Sequence, residues 1–204
     1  MYIDFATLNQ SEAYHALVQT VIPRPIAWVL TENENGSHNL APFSFFNVVS
    51  SRPPLLSIAI GPKAEGMPKD TLANIERDGR LVIHIAQRAL AEAVNESARV
   101  LEAGESEVER IGLATRPFAD FGLPRVSDAH IAFACERFEV HRIVGGTQTL
   151  VLARIQQLYV ADALAERDAK DRLRLDPKAI DPLCRLGGTE YAELGKIFSL
   201  ARPR

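Results

Sequence analysis

At 204 residues the chain is long enough to bury a sizeable core within one domain, and its 47% apolar and 24% charged residues are ordinary for a globular protein. A net charge of −3 without any block of like charge argues against a nucleic-acid surface, and Cys135 and Cys184 lie too far apart for a metal or redox motif, so they read as free thiols in a reducing compartment. The N-terminus has no basic stretch followed by an apolar run, and no stretch approaches the length of a membrane-spanning helix, so a cytoplasmic protein with no membrane partner is expected.

In chain order, Ser11 is positioned to cap a short helix whose Tyr14, Leu17, Val18 and Val21 recur at helical spacing. Pro23-Arg-Pro25 stops it, because each proline disfavours the α conformation in the residue before it. Ile26-Ala-Trp-Val-Leu30 reads as a strand, Glu32 to Gly36 as a turn, and His38 to Leu40 as the returning arm. Asn47 to Ser51 continues extended, Arg52-Pro-Pro54 is a stiff connector, and Leu55 to Ile60 is a strongly apolar strand.

A loop from Gly61 to Pro68 leads to a helix that turns Leu72 and Ile75 inward and ends at Asp78-Gly79. Leu81 to Ile85 is a strand, and its His84 reads as a hydrogen-bonded core residue rather than a ligand. Residues 87–98 look helical, and Glu105, Glu107 and Glu109 look like a solvated face. His130 to Val144 and Thr147 to Val160, joined at Gly145-Gly146, form a long hairpin. Residues 162–173 are charged and helical or loose, and a proline-punctuated tail follows. The pattern is mainly β with peripheral helices: one domain over residues 1–204, with a C-terminal tail from about residue 162 wrapping an antiparallel barrel.

Two stretches stand apart from ordinary core. Asn39-Leu-Ala-Pro-Phe-Ser-Phe-Phe-Asn47 gathers three aromatics, a hydroxyl and two carboxamides around Pro42, which should break the hydrogen-bond ladder. Lys69-Asp-Thr71 puts a cation, a capping Asp70 and a hydroxyl at a helix start, where backbone N–H groups favour an anion. An aromatic, amide-lined ledge beside an anion seat suits a flat heterocycle carrying a phosphate, and flavin mononucleotide (FMN) fits. The sequence has no GxGxxG, no GxxxxGK[ST], no GxSxG and no HExxH, and its five histidines lack metal-ligand spacing. Any redox chemistry would therefore belong to a bound organic cofactor.

Pro23-Arg-Pro-Ile-Ala-Trp28, Asn39 to Asn47, Lys69-Asp-Thr71 and Arg185-Leu-Gly-Gly188 with Tyr191, in that order, resemble the flavin reductase-like, FMN-binding split-barrel family. The resemblance implies a homodimer with FMN near the subunit interface, reduction of flavin by NAD(P)H, and an oxygenase or other electron acceptor. It places Lys69 and Thr71 on the phosphate, and Ser44 on the phosphate or ribityl chain. Backbone amides from Pro42 through Phe43, Phe45 and Phe46 face the ring edge, with Asn39, Asn47 and Asp70 completing the set. Arg24 suits either the phosphate or the ring's N1–O2 edge, and Trp28 suits core and flavin neighbour equally. Arg185, Gly187 and Tyr191 either close over the partner subunit's site or anchor the tail. The pattern departs at Gln148, where many relatives carry a nicotinamide-placing His. Gln148 can hydrogen-bond a carboxamide but carries no charge. An FMN-binding electron carrier or flavin-storage protein without its own nicotinamide site is therefore the alternative.

Overall fold

The structure, a computed structural model, describes residues 1–63 and 66–203; Ala64 and Glu65, inside the expected loop Gly61 to Pro68, and Arg204 lie outside the described residues. Its first six strands are β1 (Arg24–Pro25), β2 (Ala27–Glu32), β3 (His38–Phe43), β4 (Phe46–Ser51), β5 (Pro54–Ile60) and β6 (Arg80–Ile85). Then come β7 (Thr115–Pro117), β8 (Pro124–Val126), β9 (Ile131–Arg142) and β10 (Thr149–Val160). The tail adds β11 (Glu166–Arg167), β12 (Leu173–Arg174), β13 (Cys184–Arg185) and β14 (Tyr191–Ala192). The α-helices are α1 (Gln10–Thr20), α2 (Asp70–Asp78), α3 (Ala91–Glu96), α4 (Glu107–Ile111) and α5 (Pro177–Ile180).

Side chains alternate across a strand, and β2 shows what that does here. Trp28 and Leu30 join one buried cluster with Leu40, Val82, Val94 and Leu123, while Ala27 and Val29 join a second with Phe43, Phe46, Ile58 and Ile83. Both faces of β2 are thus covered, which is why the run Ile26 to Leu30 is apolar throughout. The main sheet is antiparallel with strand order β3-β2-β6-β9-β10-β5-β4. Its two end strands are consecutive in sequence, joined by Ser44 and Phe45, and the Ala59 N–H donates to the Phe45 carbonyl at 2.8 Å. The sheet curls into an antiparallel split β-barrel, and α2 sends Leu72 and Ile75 into the second cluster. Gly79, with φ +81°, adopts the left-handed conformation that ends α2.

His84 is the structural residue expected. It is fully buried, with Nδ1 2.9 Å from the Trp28 carbonyl and Nε2 accepting the Val126 N–H at 3.0 Å. Burial, and to a lesser degree Arg125, hold its pKa down at about 4, so the ring is neutral near pH 7. Trp28 is core: fully buried, it donates Nε1–H to Ser97 Oγ at 2.8 Å. Both cysteines are free and buried, and burial pushes both thiols up and away from thiolate chemistry.

Five expectations are corrected. Asn9, not Ser11, caps α1, through a capping box with Glu12. Of the helical stripe only Val18 is buried; Tyr14, Leu17 and Val21 face outward. Pro42 does not break the ladder but lies inside β3, opposite Trp28. β3 is an edge strand, and the Leu40 N–H points away from β2 to Glu107; Pro42 shares that parity, so its missing N–H costs no pairing. Glu107 is buried rather than solvated, and with Ser106, which donates to the His38 carbonyl, it covers the open edge of β3. Residues 162–173, expected helical or loose throughout, begin with a 3-10 turn at Asp162–Leu164 and then hold most of the small hairpin β11–β12.

The tail then returns to the body. β13 pairs with β1 and with β14, and the Leu183 N–H donates to the Ala86 carbonyl at 2.8 Å. From residue 193 to 203 the chain has no regular secondary structure, and Leu194, Ile197, Phe198 and Leu200 are exposed. Among the described residues no helix is long and apolar enough to cross a membrane.

Candidate functional site

The start of α2 carries the most concentrated polar chemistry. Asn39, buried on β3, donates from Nδ2 to Thr31 Oγ1 at 3.1 Å and to Thr71 Oγ1 at 2.9 Å. Asn74, one turn along α2, donates to the same Thr31 hydroxyl and to Asn33 Oδ1. This buried network fixes the first two turns of α2 against β2 and β3, and no buried side-chain polar atom among the described residues lacks a partner. Because Thr71 Oγ1 accepts from Asn39, its own proton remains to be donated. The N–H groups of Asp70 and Thr71, in the first helical turn, have no helical carbonyl to bond.

Asp70 is not the cap that the sequence suggests. Lys69 occupies the cap position without a side-chain bond, and Asp70 is the first helical residue, 2.8 Å from Lys63. Lys69 Nζ lies 5.4 Å from the centre of the Phe43 ring. Burial lowers the Lys69 pKa, and nearby Lys63 lowers it further; both make a cation that gains from an anionic partner. Among the described residues no carboxylate pairs with Lys69. Lys69, Asp70 and Thr71 share a cavity of about 70 Å³ with Asn39, Pro42, Lys63 and Glu107, closed on one side by residues 97–101.

The aromatic stretch divides. Phe43 and Phe46 are buried in the barrel, whereas Phe45 is half-buried and meets Tyr14 of α1 at 6.3 Å between ring centres. Ser44, Phe45, Phe46 and Asn47 line a groove of about 330 Å³ with Leu17, Pro23 and Arg24. A wider groove of about 720 Å³ adjoins it through Leu17 and Phe45, and holds Gln148, Thr147 and Gly145-Gly146 opposite Gln10 and Tyr14. Gln10 Nε2 donates to Thr147 Oγ1 at 3.2 Å, tying α1 to the β9–β10 turn.

Arg24 is committed to the protein itself. Its Nη1 donates to the Val18 and Val21 carbonyls at 2.7 and 2.8 Å, its Nη2 to the Leu186 carbonyl at 2.8 Å, and its Nε to Ser44 Oγ at 3.4 Å. The guanidinium therefore satisfies the end of α1 and holds the tail. Arg185 donates to the Gly188 and Glu190 carbonyls and stacks on Tyr191, whose hydroxyl reaches Asn95 Oδ1 at 3.1 Å. Gly187 is where Gln19 of α1 lies against the tail, too close for a Cβ without the Gln19 side chain moving. Within this chain these residues anchor the tail, and neither Arg185 nor Tyr191 lines any of the three cavities.

The structure thus brings Asn39, Pro42, Lys69, Asp70 and Thr71 together, and separately brings Arg24, Ser44, Phe45, Phe46 and Asn47 beside the groove that holds Gln148. Lys63, Glu107, Tyr14 and Leu17 were missed. The helix-start pattern at Ser106 was a signal for Glu107, since Ser106 accepts the Glu109 N–H.

The chain belongs to the flavin reductase-like family, whose domain matches residues 19–175. Among its relatives, BH2278 of Halalkalibacterium halodurans is 37% identical over 201 residues, covering 97% of this chain and 94% of that protein. Nitrilotriacetate monooxygenase component B from Bacillus cereus superimposes with a TM-score of 0.89 at 32% identity, over 98% of each chain. The 2-nitrobenzoate 2-nitroreductase NbaA from Pseudomonas fluorescens gives a TM-score of 0.87 at 29% identity, over 100% of this chain and 96% of that one.

Proposed function

We propose that the chain is an FMN-binding flavoprotein acting as an NAD(P)H-dependent flavin reductase. The observation that carries the reading is the partly desolvated Lys69 beside a Thr71 hydroxyl with a proton to give and two helix-start N–H groups. That donor set fits a phosphate monoester: a cation, a hydroxyl and backbone amides converge where the helix favours negative charge. Asn39 holds Thr71 in place, and Asp70 holds Lys63 close by. Ser44 and the half-buried Phe45 offer a hydroxyl and an aromatic face to the rest of the nucleotide. Bound FMN would supply the hydride-accepting ring, and the residues around it would bind, orient and exclude water.

The 720 Å³ groove beside Phe45 is the place for a nicotinamide, with Gln148 offering a hydrogen bond to its carboxamide. The Bacillus cereus relative is by name one component of a monooxygenase, which supports delivery of reduced flavin to a separate oxygenase. The exposed apolar residues of α1 and β4, next to the Ser44–Asn47 groove, support a homodimer with the flavin near its interface. The uncharged Gln148 favours one second reading: an FMN-binding electron carrier or storage protein that accepts electrons from another protein. Aerobic NADH and NADPH oxidation with and without added FMN tests the choice. A yellow protein that oxidises neither nucleotide is the carrier; a colourless one that binds no FMN ends both readings.

A further inference from the structure

The cavity that holds Lys69 also holds a buried carboxylate with no part in the reading so far. Glu107 is 5% exposed; its Oε2 accepts the Leu40 N–H at 2.9 Å, and it shares the cavity with Lys63, Lys69, Asp70, Thr71 and Arg99. The charges around it come from three elements. Lys63 and Asp70 are paired with each other, Lys69 stands at the start of α2, and Arg99, beyond α3, is engaged by Glu96 at 2.7 Å. Among the described residues no cation pairs with Glu107 itself. On the same wall Thr71 is 1% exposed, and its hydroxyl donates to no group among the described residues. The cavity therefore joins an unused buried donor to a buried negative charge. No ordinary salt bridge explains that pairing.

We infer that Glu107 makes occupancy of this seat by a phosphate proton-coupled: its carboxylate opposes the incoming anion, and one proton passes from solvent to Glu107 as the phosphate binds. The inference deepens the FMN reading and rests on it. Two anions sharing a poorly solvated cavity repel, and protonating the weaker acid removes the repulsion while creating an O–H donor. Glu107 is already disposed to take the proton. Burial raises its pKa and Asp70 adds to the rise, against the opposing effects of the Leu40 N–H and Lys63. FMN affinity should therefore fall as pH rises through the range where Glu107 must give its proton back, whereas riboflavin, without a phosphate, should show no such dependence.

Calorimetric titration of FMN and of riboflavin into the full-length chain, in buffers of different ionisation enthalpy, counts the protons directly. Titrations should span about pH 5–8, and the count in Glu107→Gln over the same range separates the phosphate's own second ionisation near 6 from the proton taken by Glu107. The expected result is net proton uptake with FMN and none with riboflavin. Glu107→Gln keeps an acceptor for the Leu40 N–H. It should bind FMN about tenfold more tightly at the alkaline end, the equivalent of one pKa unit of lost coupling, with riboflavin unchanged. A proton count of zero for FMN overturns the inference, and so does an unaltered FMN pH profile in Glu107→Gln. Because the count is made on the unaltered protein, a variant that fails to fold does not decide the matter. Lys69→Ala separates the two levels. If it discriminates FMN from riboflavin while the proton count is zero, only the role of Glu107 falls; if it does not discriminate, the phosphate seat falls and takes Glu107 with it.

Discussion

Lys69 and Gln148 carry the functional reading at the scale of single residues, and each makes a separable prediction. A partly desolvated ammonium opposite a phosphate forms a charge-assisted contact of about 1.5–3 kcal/mol. Lys69→Ala should weaken FMN binding by about tenfold to a hundredfold and riboflavin binding far less. Equal losses for the two ligands would place Lys69 off the phosphate. Gln148 lines the groove beside Phe45, and for the nicotinamide proposed to sit there, placement within reach of the acceptor would govern the rate of hydride transfer. Gln148→His should accelerate flavin reduction by NAD(P)H in anaerobic stopped flow at unchanged FMN affinity, and Gln148→Ala should slow it. Identical rates in all three proteins would remove Gln148 from the site. The sequence singles out both residues, Lys69 because a cation at a helix start has a physical meaning. It does not single out Glu107, because a glutamate among glutamates looks solvated until the chain shows that it covers the Leu40 N–H.

Secondary-structure elements are pinned to one another by side chains that reach backbone groups. His84, on β6, joins β2 through the Trp28 carbonyl and β8 through the Val126 N–H. Its folded pKa of about 4 lies below the ordinary value of 6.5, so the unfolded chain binds the proton more readily between those limits. Stability from this group is fully present above pH 6.5, falls as pH drops toward 4, and is lost at no more than about 1.4 kcal/mol per pH unit. Urea midpoints across that window should follow this slope, and His84→Asn should flatten it. An equal slope in the variant would assign the pH effect to other groups.

Arg24 plays the same kind of part for α1 and the tail. Arg24→Lys leaves carbonyls of Val18, Val21 and Leu186 short of donors and should cost about 1.5–3 kcal/mol, with earlier proteolysis of the segment around β13. Lower FMN affinity with unchanged stability would make Arg24 a ligand after all. The strands were readable from period and proline placement. Pro42 misled because proline breaks a ladder only where its missing N–H faces a partner, and edge position is a property of the sheet rather than of the local sequence.

For the whole molecule, the exposed apolar residues of the first helical segment and of the barrel's end strand belong together. Leu17 on α1 and Val21 at its C-terminal cap line the groove that contains Ser44 to Asn47; the exposed Tyr14 lines the adjoining groove, and the exposed Val48 and Val49 follow Asn47 on β4. Apolar surface beside a site is readily covered by a second copy of the chain, and a two-fold dimer is the commonest closed assembly. Light scattering during size exclusion should give twice the 22.5 kDa chain mass, and Leu17→Asp should shift the protein toward monomer with loss of FMN. A stable monomer that retains FMN would defeat this assembly. The helical stripe on α1 was visible in the sequence, but spacing alone does not say whether a stripe faces its own core or another molecule.

The strand order also dictates a schedule during synthesis. β5 is complete at Ile60, yet its partner β10 begins only at Thr149, and β6 pairs with β9, which begins at Ile131. A ribosome adding about 5–20 residues per second leaves Leu55, Leu56, Ile58 and Ile60 without their partner strand for on the order of 5–20 s. During that interval the β4–β5 hairpin presents an unpaired apolar edge to every neighbouring nascent chain. Polypeptides released by premature termination before Val160 lack all or part of β10, the strand that joins β9 to β5. They should therefore partition with chaperones or aggregates rather than accumulate as soluble fragments.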